Sequence, residues 1–282
     1  MLRYISVFIF LLVVQISFSQ EEEELPSLEE INNQLDNPLS QFWSLIFQEN
    51  LVSNSGDAVN GSHNSNVFNF QPSLPVPVGK SHMLLVRPVF PFITSPEFDE
   101  NGDKTGTDSG FGDMQVFSLF GPDKKDGVVW AVGLTFAFPT ASSDYLGSGK
   151  YQMGPAAMLL SMGEKWVLGT IVQHWTSIGG DSFREDVTKT ELQYIIRKKI
   201  PGKAMTIGMG PTISMNWEAE EGNQLTVPIG LGITKTVKWG KMPFKLRVEP
   251  QYSIIKPDNY GSLWNLRIQI APILRNPFLN NN

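Results

Sequence analysis

A strict two-residue alternation near the C-terminus is the feature that most constrains the fold of this chain. Between Phe244 and Ile254 every second residue is apolar, and the pattern returns after a short turn, from Trp264 onward. The residues in between are polar or charged, and in the first run they are Lys245, Arg247, Glu249, Gln251 and Ser253. Successive side chains of a β-strand point to opposite faces, so this period predicts two strands with one apolar and one polar face each. Their length matches the roughly 9–11 residues that a tilted strand needs to cross a bilayer.

The composition argues against several classes of function. The net charge of −6 and the scattered basic residues give no basic patch of the kind that nucleic acid requires, so we expect no nucleic-acid partner. The chain has no cysteine, which removes disulfides and thiolate chemistry, and its three histidines are spread along the sequence. We therefore expect a protein without enzymatic activity, cofactor or metal site. The length of 282 residues allows one large β-barrel or about two globular domains.

Residues 1–19 have the pattern of a secretory signal peptide. Arg3 gives a positive start, residues 4–16 are apolar, and the small residues Ser17 and Ser19 mark a cleavage site before Gln20. The alternative is a helical membrane anchor, but the apolar run is shorter than the roughly 18–20 residues that span a bilayer. Export combined with transmembrane strands predicts a location in the outer membrane of a Gram-negative cell.

A short helix is predicted within the periplasmic segment 20–41. Ser27-Leu28-Glu29-Glu30 has the spacing of a capping box, and Pro38 ends the helical pattern. This pattern is compatible with a helix against the barrel rim, a plug inserted in the lumen, or a disordered segment. The barrel is predicted over residues 42–274, followed by a C-terminal tail at 275–282.

The alternation recurs along the chain and predicts about twelve strands. The ten further segments are 42–52, 66–78, 83–94, 113–120, 128–138, 151–162, 166–176, 187–197, 204–217 and 223–236. Segments 151–162 and 166–176 are apolar on both faces, so the pattern leaves their register unassigned. Compact turns alternate with longer connections, which predicts an all-β, up-and-down antiparallel transmembrane β-barrel with its short turns in the periplasm. A soluble sandwich or lipocalin-like barrel also alternates, but the basic residues on the polar faces and the aromatic residues near strand ends favour the membrane barrel.

Short glycine- and proline-containing motifs occur in a fixed order along nearly all of the mature chain. They include Phe47-Gln48-Glu49-Asn50, Phe68-Asn69-Phe70-Gln71-Pro72, Val86-Arg87-Pro88-Val89-Phe90-Pro91, Gly110-Phe111-Gly112-Asp113 and Thr226-Val227-Pro228-Ile229-Gly230. In these motifs the chain resembles bacterial outer-membrane proteins of the phenol-degradation meta-pathway transporter type, many of which carry the label "neuromedin U". The resemblance implies an outer-membrane β-barrel with a role in transport, and the family name suggests hydrophobic or aromatic solutes. It supplies no established substrate and no site residues.

Charged residues on the polar faces are the candidate lining of a lumen. They are Arg87, Glu191, Arg197, Lys245, Arg247, Glu249 and Arg267. One hypothesis is a narrow solute path in which this ladder sets selectivity, as charged rings do in pores. The other is a closed structural or surface-interaction barrel, in which Arg247, Glu249 and Arg267 pair across adjacent strands and fill the lumen. Outer-membrane lipid and a small solute are the expected partners.

Two weaker patterns suggest other chemistry. His63 and Ser65 have a spacing seen in outer-membrane phospholipase A, but a hydrolase needs base and nucleophile in fixed contact, and the two residues sit in a predicted loop. The acidic residues between Asp99 and Asp108 could gather oxygen ligands for Ca²⁺, but their order is not that of an EF-hand. A solvated acidic loop is the expected structure there.

Overall fold

The computed structural model describes residues 26–279, so the predicted signal peptide lies outside the described residues. A helix, α1, spans Leu28–Gln34 and precedes a single 15-stranded sheet. The strands are β1 (Phe42–Ser55), β2 (Ser62–Val78), β3 (His82–Phe98), β4 (Lys104–Phe111), β5 (Met114–Pro122), β6 (Gly127–Phe138), β7 (Lys150–Met162), β8 (Trp166–Gly180), β9 (Thr188–Lys199), β10 (Met205–Met209), β11 (Thr212–Asn216), β12 (Leu225–Gly230), β13 (Gly232–Trp239), β14 (Met242–Ile255) and β15 (Gly261–Arg275).

The sheet closes on itself as an antiparallel barrel. β1 pairs with β2 on one side and with β15 on the other, which leaves the barrel without a free edge. Three of the twelve barrel strands are built from two segments each, namely β4 with β5, β10 with β11, and β12 with β13. The predicted up-and-down barrel of about twelve strands with a short N-terminal helix is confirmed. Within residues 26–279, no helix is both long and apolar enough to cross a membrane.

Short turns gather at one end of the barrel and longer connections at the other. We call these the turn end, with turns such as residues 79–81 and 163–165, and the loop end, with connections such as 139–149 and 181–187. Residues 95–112 were predicted to be a loop, and this is wrong. β3 continues to Phe98 and pairs with β4 as a hairpin at the loop end. β4 carries mainly Thr, Ser, Gly and charged residues, so it has no apolar face that would reveal a strand.

The C-terminal strands present their two faces as the alternation predicts. Along β14, Arg247, Glu249, Gln251 and Ser253 are buried within the barrel, while Val248 and Ile254 are exposed on its outside. The same outward exposure holds for large apolar residues of β6. The outer surface is therefore the apolar surface that a lipid-facing sheet requires.

Part of the barrel interior is an apolar core rather than a polar lumen. Inward-facing residues near the turn end of β3 and β5–β9 pack into one buried cluster. Its members are Leu39, Met83, Leu85, Phe117, Leu119, Val129, Ala131, Ala156, Met158, Leu160, Met162, Val167, Ile171 and Ile195. Here both faces of β7 and β8 are apolar because one meets lipid and the other meets this core. That is why alternation alone could not set their register.

Two barrel strands that were predicted to be continuous are interrupted. Segment 204–217 is divided at Gly210 and Pro211 into β10 and β11, and segment 223–236 is divided at Leu231 into β12 and β13. Pro211 and Pro228 lie near these interruptions, and proline cannot donate a ladder hydrogen bond. The wall formed by these strands is therefore less regular than the rest of the barrel.

Candidate functional site

A cavity of about 780 Å³ occupies the barrel interior. Polar side chains from β1, β2, β8, β9 and β15 line it, with the charged residues on one wall and edges of the apolar core on another. The residues lining it include Gln48, Asn50, Asn69, Gln71, Phe117, Ile171, Gln173, Gln193, Ile195, Asn265 and Gln269. Its volume lies within the range of roughly 300–1,000 Å³ that holds small organic ligands.

Arg247 and Glu249 form a buried ion pair on β14. The Nε of Arg247 donates to Glu249 Oε2 at 2.8 Å, and its Nη1 donates to Thr234 at 3.1 Å. The other carboxylate oxygen of Glu249 accepts from Gln251 at 2.9 Å and from the backbone N–H of Gly210 at 3.1 Å. Charges taken out of water are costly unless they are paired and hydrogen-bonded, and this pair is both.

The carbonyl of Gly210 is also hydrogen-bonded by side chains from inside the barrel. It accepts from Arg267 Nη1 at 2.9 Å and from Gln193 Nε2 at 2.9 Å. Gly210 lies where the β10–β11 strand is broken, so its backbone groups have no ladder partner there. Arg267, Gln193 and Glu249 therefore supply the hydrogen bonds that the broken ladder lacks.

Asp36 of the N-terminal segment lies against the remaining basic residues of this wall. Its Oδ1 accepts from Arg197 Nη1 at 2.9 Å and from Lys245 Nζ at 3.2 Å, and its side chain is fully buried. Burial acts to raise the pKa of the Asp36 carboxyl, but the positive charges of Lys245 and Arg197 outweigh it, so that pKa lies below its ordinary value of 3.8. Asp36 is therefore an anion held in the lumen by two cations.

The whole N-terminal segment closes the turn end from within. Asn32 of α1 accepts from Thr236 at 2.9 Å, and Leu39 is buried in the apolar core on the opposite wall. Asn37 Nδ2 donates to the carbonyl of Lys124 at 2.9 Å, in the turn between β5 and β6. These contacts span the barrel, so of the placements considered for the helix the structure shows the plug. We call residues 26–41 the plug.

Of the seven predicted lumen residues, the structure gathers five near Gly210 and the plug, and leaves Arg87 and Glu191 apart from them. Arg87 donates to Ser73 at 3.4 Å and stacks over the Phe117 ring at 5.7 Å. Glu191 lies 3.5 Å from Lys189. Both residues line the cavity, and their polar contacts are the loosest among the predicted lumen residues.

A second cavity of about 900 Å³ lies at the loop end. It shares Glu191 and Ser214 with the inner cavity, so the two adjoin there. Beside this junction the connection 139–149 folds inward, with Leu146 buried. Asp113 fixes that connection by accepting from Ser148 N at 2.7 Å and from Ser148 Oγ at 2.8 Å.

The two weaker patterns form no catalytic or metal-binding arrangement among residues 26–279. His63 and Ser65 lie in β2 rather than in the predicted loop, and they bond to different partners, with His63 at 2.9 Å from the Asn60 carbonyl and Ser65 accepting from Asn54 at 2.8 Å. The acidic residues around Asp99 fold into the tip of the β3–β4 hairpin. In the described part of the chain no three Asp, Glu or His side chains come together as metal ligands would.

Sequence reasoning missed three residues that shape this site. Asp36 lies in a segment whose placement the pattern leaves undecided. Gln193 and Tyr194 lie in a predicted strand, whose alternation does not show that their side chains bond to backbone carbonyls. The Tyr194 hydroxyl donates to the Pro228 carbonyl at 2.7 Å. The sequence contained two signals for these contacts, the acid Asp36 after the helix and the prolines Pro211 and Pro228 in neighbouring strands. Neither signal shows which side chains come close together in space.

Comparison with known proteins identifies the fold. No family model and no curated protein matches the sequence, so the family resemblance stays a prediction. Among solved structures, an outer membrane channel from Pseudomonas putida F1 matches with a TM-score of 0.59 at 15% identity, over 83% of this chain and 94% of that one. Outer membrane phospholipase A from Escherichia coli matches with a TM-score of 0.41 at 13% identity, over 89% of this chain and 98% of that one. The fold is that of an outer-membrane β-barrel.

Proposed function

We propose that this protein is an outer-membrane channel for the passive passage of small molecules, closed at its turn end by the plug. The observation that carries the proposal is the pair of adjoining cavities within the barrel. The loop-end cavity adjoins the inner cavity at Glu191 and Ser214, and the inner cavity ends at Asp36. Protein interiors are normally close-packed, so a barrel that served only as a scaffold would not need an internal cavity of about 780 Å³.

The plug contacts are of a kind that can be released. α1 is a helix of 7 residues, and its segment is held by ion pairs and hydrogen bonds to the wall together with Leu39 in the apolar core. Such an element can leave as a unit while the closed ladder of strands stays intact. The likeness to the P. putida F1 channel concerns the fold and is consistent with this function.

The solute is a small organic molecule, and the cavity walls suit one with both apolar and polar parts. Phe117, Ile171 and Ile195 line one side of the inner cavity, while Arg197, Arg247 and Arg267 stand on the other. This mixture agrees with the hydrophobic or aromatic solutes that the family name suggests. The neighbouring charges favour a solute that carries a negative group.

The test is single-channel conductance of the purified barrel in a planar bilayer. The mature chain is compared with a chain that lacks residues 20–36, from which Asp36 and α1 are missing. We expect brief, infrequent openings for the former and long-lived, larger openings for the latter. A matched control, Glu29→Gln, removes an exposed carboxylate that accepts from Gly202 N at 3.2 Å and leaves Asp36 in place.

Absence of conductance in both chains would contradict the proposed channel function. If both proteins were folded, as shown by a heat-modifiable band on a gel, absence of conductance would instead support the closed structural barrel. Equal conductance of the two chains would contradict the plug as the closing element while leaving the channel in place.

A further inference from the structure

The barrel wall has one long interruption in its strand pairing, between β10–β11 and β12–β13. Gly208 pairs with Gly232 and Ser214 pairs with Thr226, both in the same register, and no ladder pair joins residues 209–213 to residues 227–231. We call these two facing runs the seam. A shorter interruption separates β2 from β3, but both of those strands stay continuous. At the seam both strands are broken.

Two prolines in the seam favour this interruption. If the register continued through the seam, Pro211 would lie opposite Ile229 and Pro228 opposite Thr212. Pairs along an antiparallel ladder alternate between hydrogen-bonded and non-hydrogen-bonded types, and these two pairs are of opposite type. In either arrangement, one of the two prolines would lie in a hydrogen-bonded pair. Because proline has no N–H, the carbonyl opposite it would then lack its donor.

One side chain crosses the seam on the outer side. Tyr194 lies on β9, where its N–H donates to the Pro211 carbonyl at 3.3 Å. Its hydroxyl reaches past that strand and donates to the Pro228 carbonyl on the far side of the seam, at 2.7 Å. A tyrosine on a neighbouring strand thus supplies a donor that the ladder lacks.

A second side chain crosses on the inner side. Glu249 reaches from β14 to the backbone N–H of Gly210, which lies on the far side of the seam, at 3.1 Å. Glycines at 230 and 232 make this possible, because a β-carbon at Gly232 would come within 2.7 Å of the Glu249 Cβ. Arg267 of β15 crosses on the same side and donates to the Gly210 carbonyl at 2.9 Å. Side-chain contacts on both faces therefore bridge the broken ladder.

The seam separates two different environments. On the outside, Ile229 and Leu231 are exposed to 45% and 64% on the lipid face. On the inside, Thr212 and Ser214 line the inner cavity. Parting the strands there would join the cavity directly to the apolar interior of the bilayer.

We propose that the seam is a lateral gate through which a small amphipathic acid passes between the lumen and the membrane. This inference rests on the proposed channel function. The basic residues near Gly210 hold the acidic group, the apolar wall holds the body of the molecule, and the seam gives the apolar body a way out that avoids water. Tyr194, Glu249 and Arg267 hold the gate closed.

The test follows uptake of pyrenebutyrate into the outer membrane of intact cells that make the protein, against cells that lack it. Tyr194→Phe removes the outer contact and keeps the ring, and loss of one hydrogen bond favours the open seam about fivefold. We expect faster uptake with unchanged ion conductance. Tyr151→Phe is the matched control, since Tyr151 is an exposed tyrosine on β7, in a different part of the wall.

A disulfide provides the opposite perturbation, because the chain has no cysteine of its own. Oxidised Ile213→Cys with Val227→Cys joins the two sides of the seam, and we expect uptake to fall severalfold and to recover with reductant. Val132→Cys with Ala157→Cys places the same bond across a paired ladder between β6 and β7 and leaves uptake unchanged.

The outcomes separate the two proposals. Normal conductance with uptake that responds neither to Tyr194→Phe nor to the disulfide would overturn the lateral gate alone. Absence of conductance in the unmodified protein and in the chain that lacks residues 20–36 would overturn the channel. If the seam disulfide did not form, an unchanged rate for Tyr194→Phe would by itself overturn the gate.

Discussion

At the scale of single residues, the charged ladder divides into groups with different tasks. Arg247, Glu249 and Arg267 are bound to one another or to the backbone of Gly210, so they hold the wall together. Arg87 and Glu191 make only long contacts and face the cavity. The pairing hypothesis therefore describes Arg247, Glu249 and Arg267, while Arg87 and Glu191 stay the candidates for selectivity.

Replacing Arg247 should weaken the barrel rather than change its selectivity. Arg247→Ala leaves the Glu249 carboxylate buried without its main counter-charge, and breaking a buried pair from one side costs about 3–5 kcal/mol. We expect the folded band on a gel to convert at a lower temperature and the urea midpoint to fall. Lys104→Ala, which removes an exposed positive charge from β4, should leave both unchanged. Equal stability of the Arg247 and Lys104 variants would show that the pair is dispensable.

At the scale of elements, alternation predicts most of the barrel and fails where a second interaction overrides it. Along β14 and β15 the two-residue alternation is clear, because one face is apolar toward the lipid and the other is polar toward the interior. β7 and β8 lose it because their inner face meets the apolar core that receives Leu39. β4 lacks an apolar face altogether. The broken strands contain visible prolines, but only the register between two strands shows that Pro211 and Pro228 disrupt the same ladder.

The candidate site was predictable as a set of inward-facing charges but not as an arrangement. The period of two places Arg197, Lys245 and Arg247 inside the barrel, because a strand has only two faces. It does not say that Asp36 meets the first two, since a short helix that precedes the barrel can occupy many positions. The sequence therefore leaves the plug as one of several placements, and the three-dimensional structure selects it.

The plug should hold at mildly acidic pH and release only in strong acid. The folded pKa of Asp36 lies below its ordinary value of 3.8, so its ion pairs stabilise the closed state fully above that value and are lost as the pH falls through the lower, folded value. We expect bilayer openings to stay rare down to about pH 4 and to become frequent below it. Asp36→Asn channels should open often at pH 7 and lack this acid step.

Glu29→Gln serves as the control for this titration, because it alters an exposed carboxylate of the same segment. Its channels should follow the pH profile of the unmodified protein. An opening step near neutral pH that persists in Asp36→Asn would assign the release to another group.

At the scale of the whole molecule, charge is distributed unevenly between the interior and the outside. The chain carries a net charge of −6, yet the inner cavity is lined by Arg87, Arg197, Lys245, Arg247 and Arg267 against Asp36, Asp113 and Glu191. Release of the plug removes Asp36 and increases this basic excess. A pore responds to the charges along its path rather than to the total, because a low-dielectric wall focuses their field.

The open channel should therefore prefer anions despite the negative net charge of the chain. In the chain that lacks residues 20–36, the reversal potential in a KCl gradient should have the sign of chloride preference, and Arg87→Gln should reduce it. Arg87 is the suitable position because its hydrogen bond to Ser73 is long, at 3.4 Å, so its loss should spare the fold. Lys104→Gln removes an equal charge from β4 outside the cavity and should leave the reversal potential unchanged. Cation preference, or equal shifts in the two variants, would mean that the cavity charges do not set the selectivity of the pore.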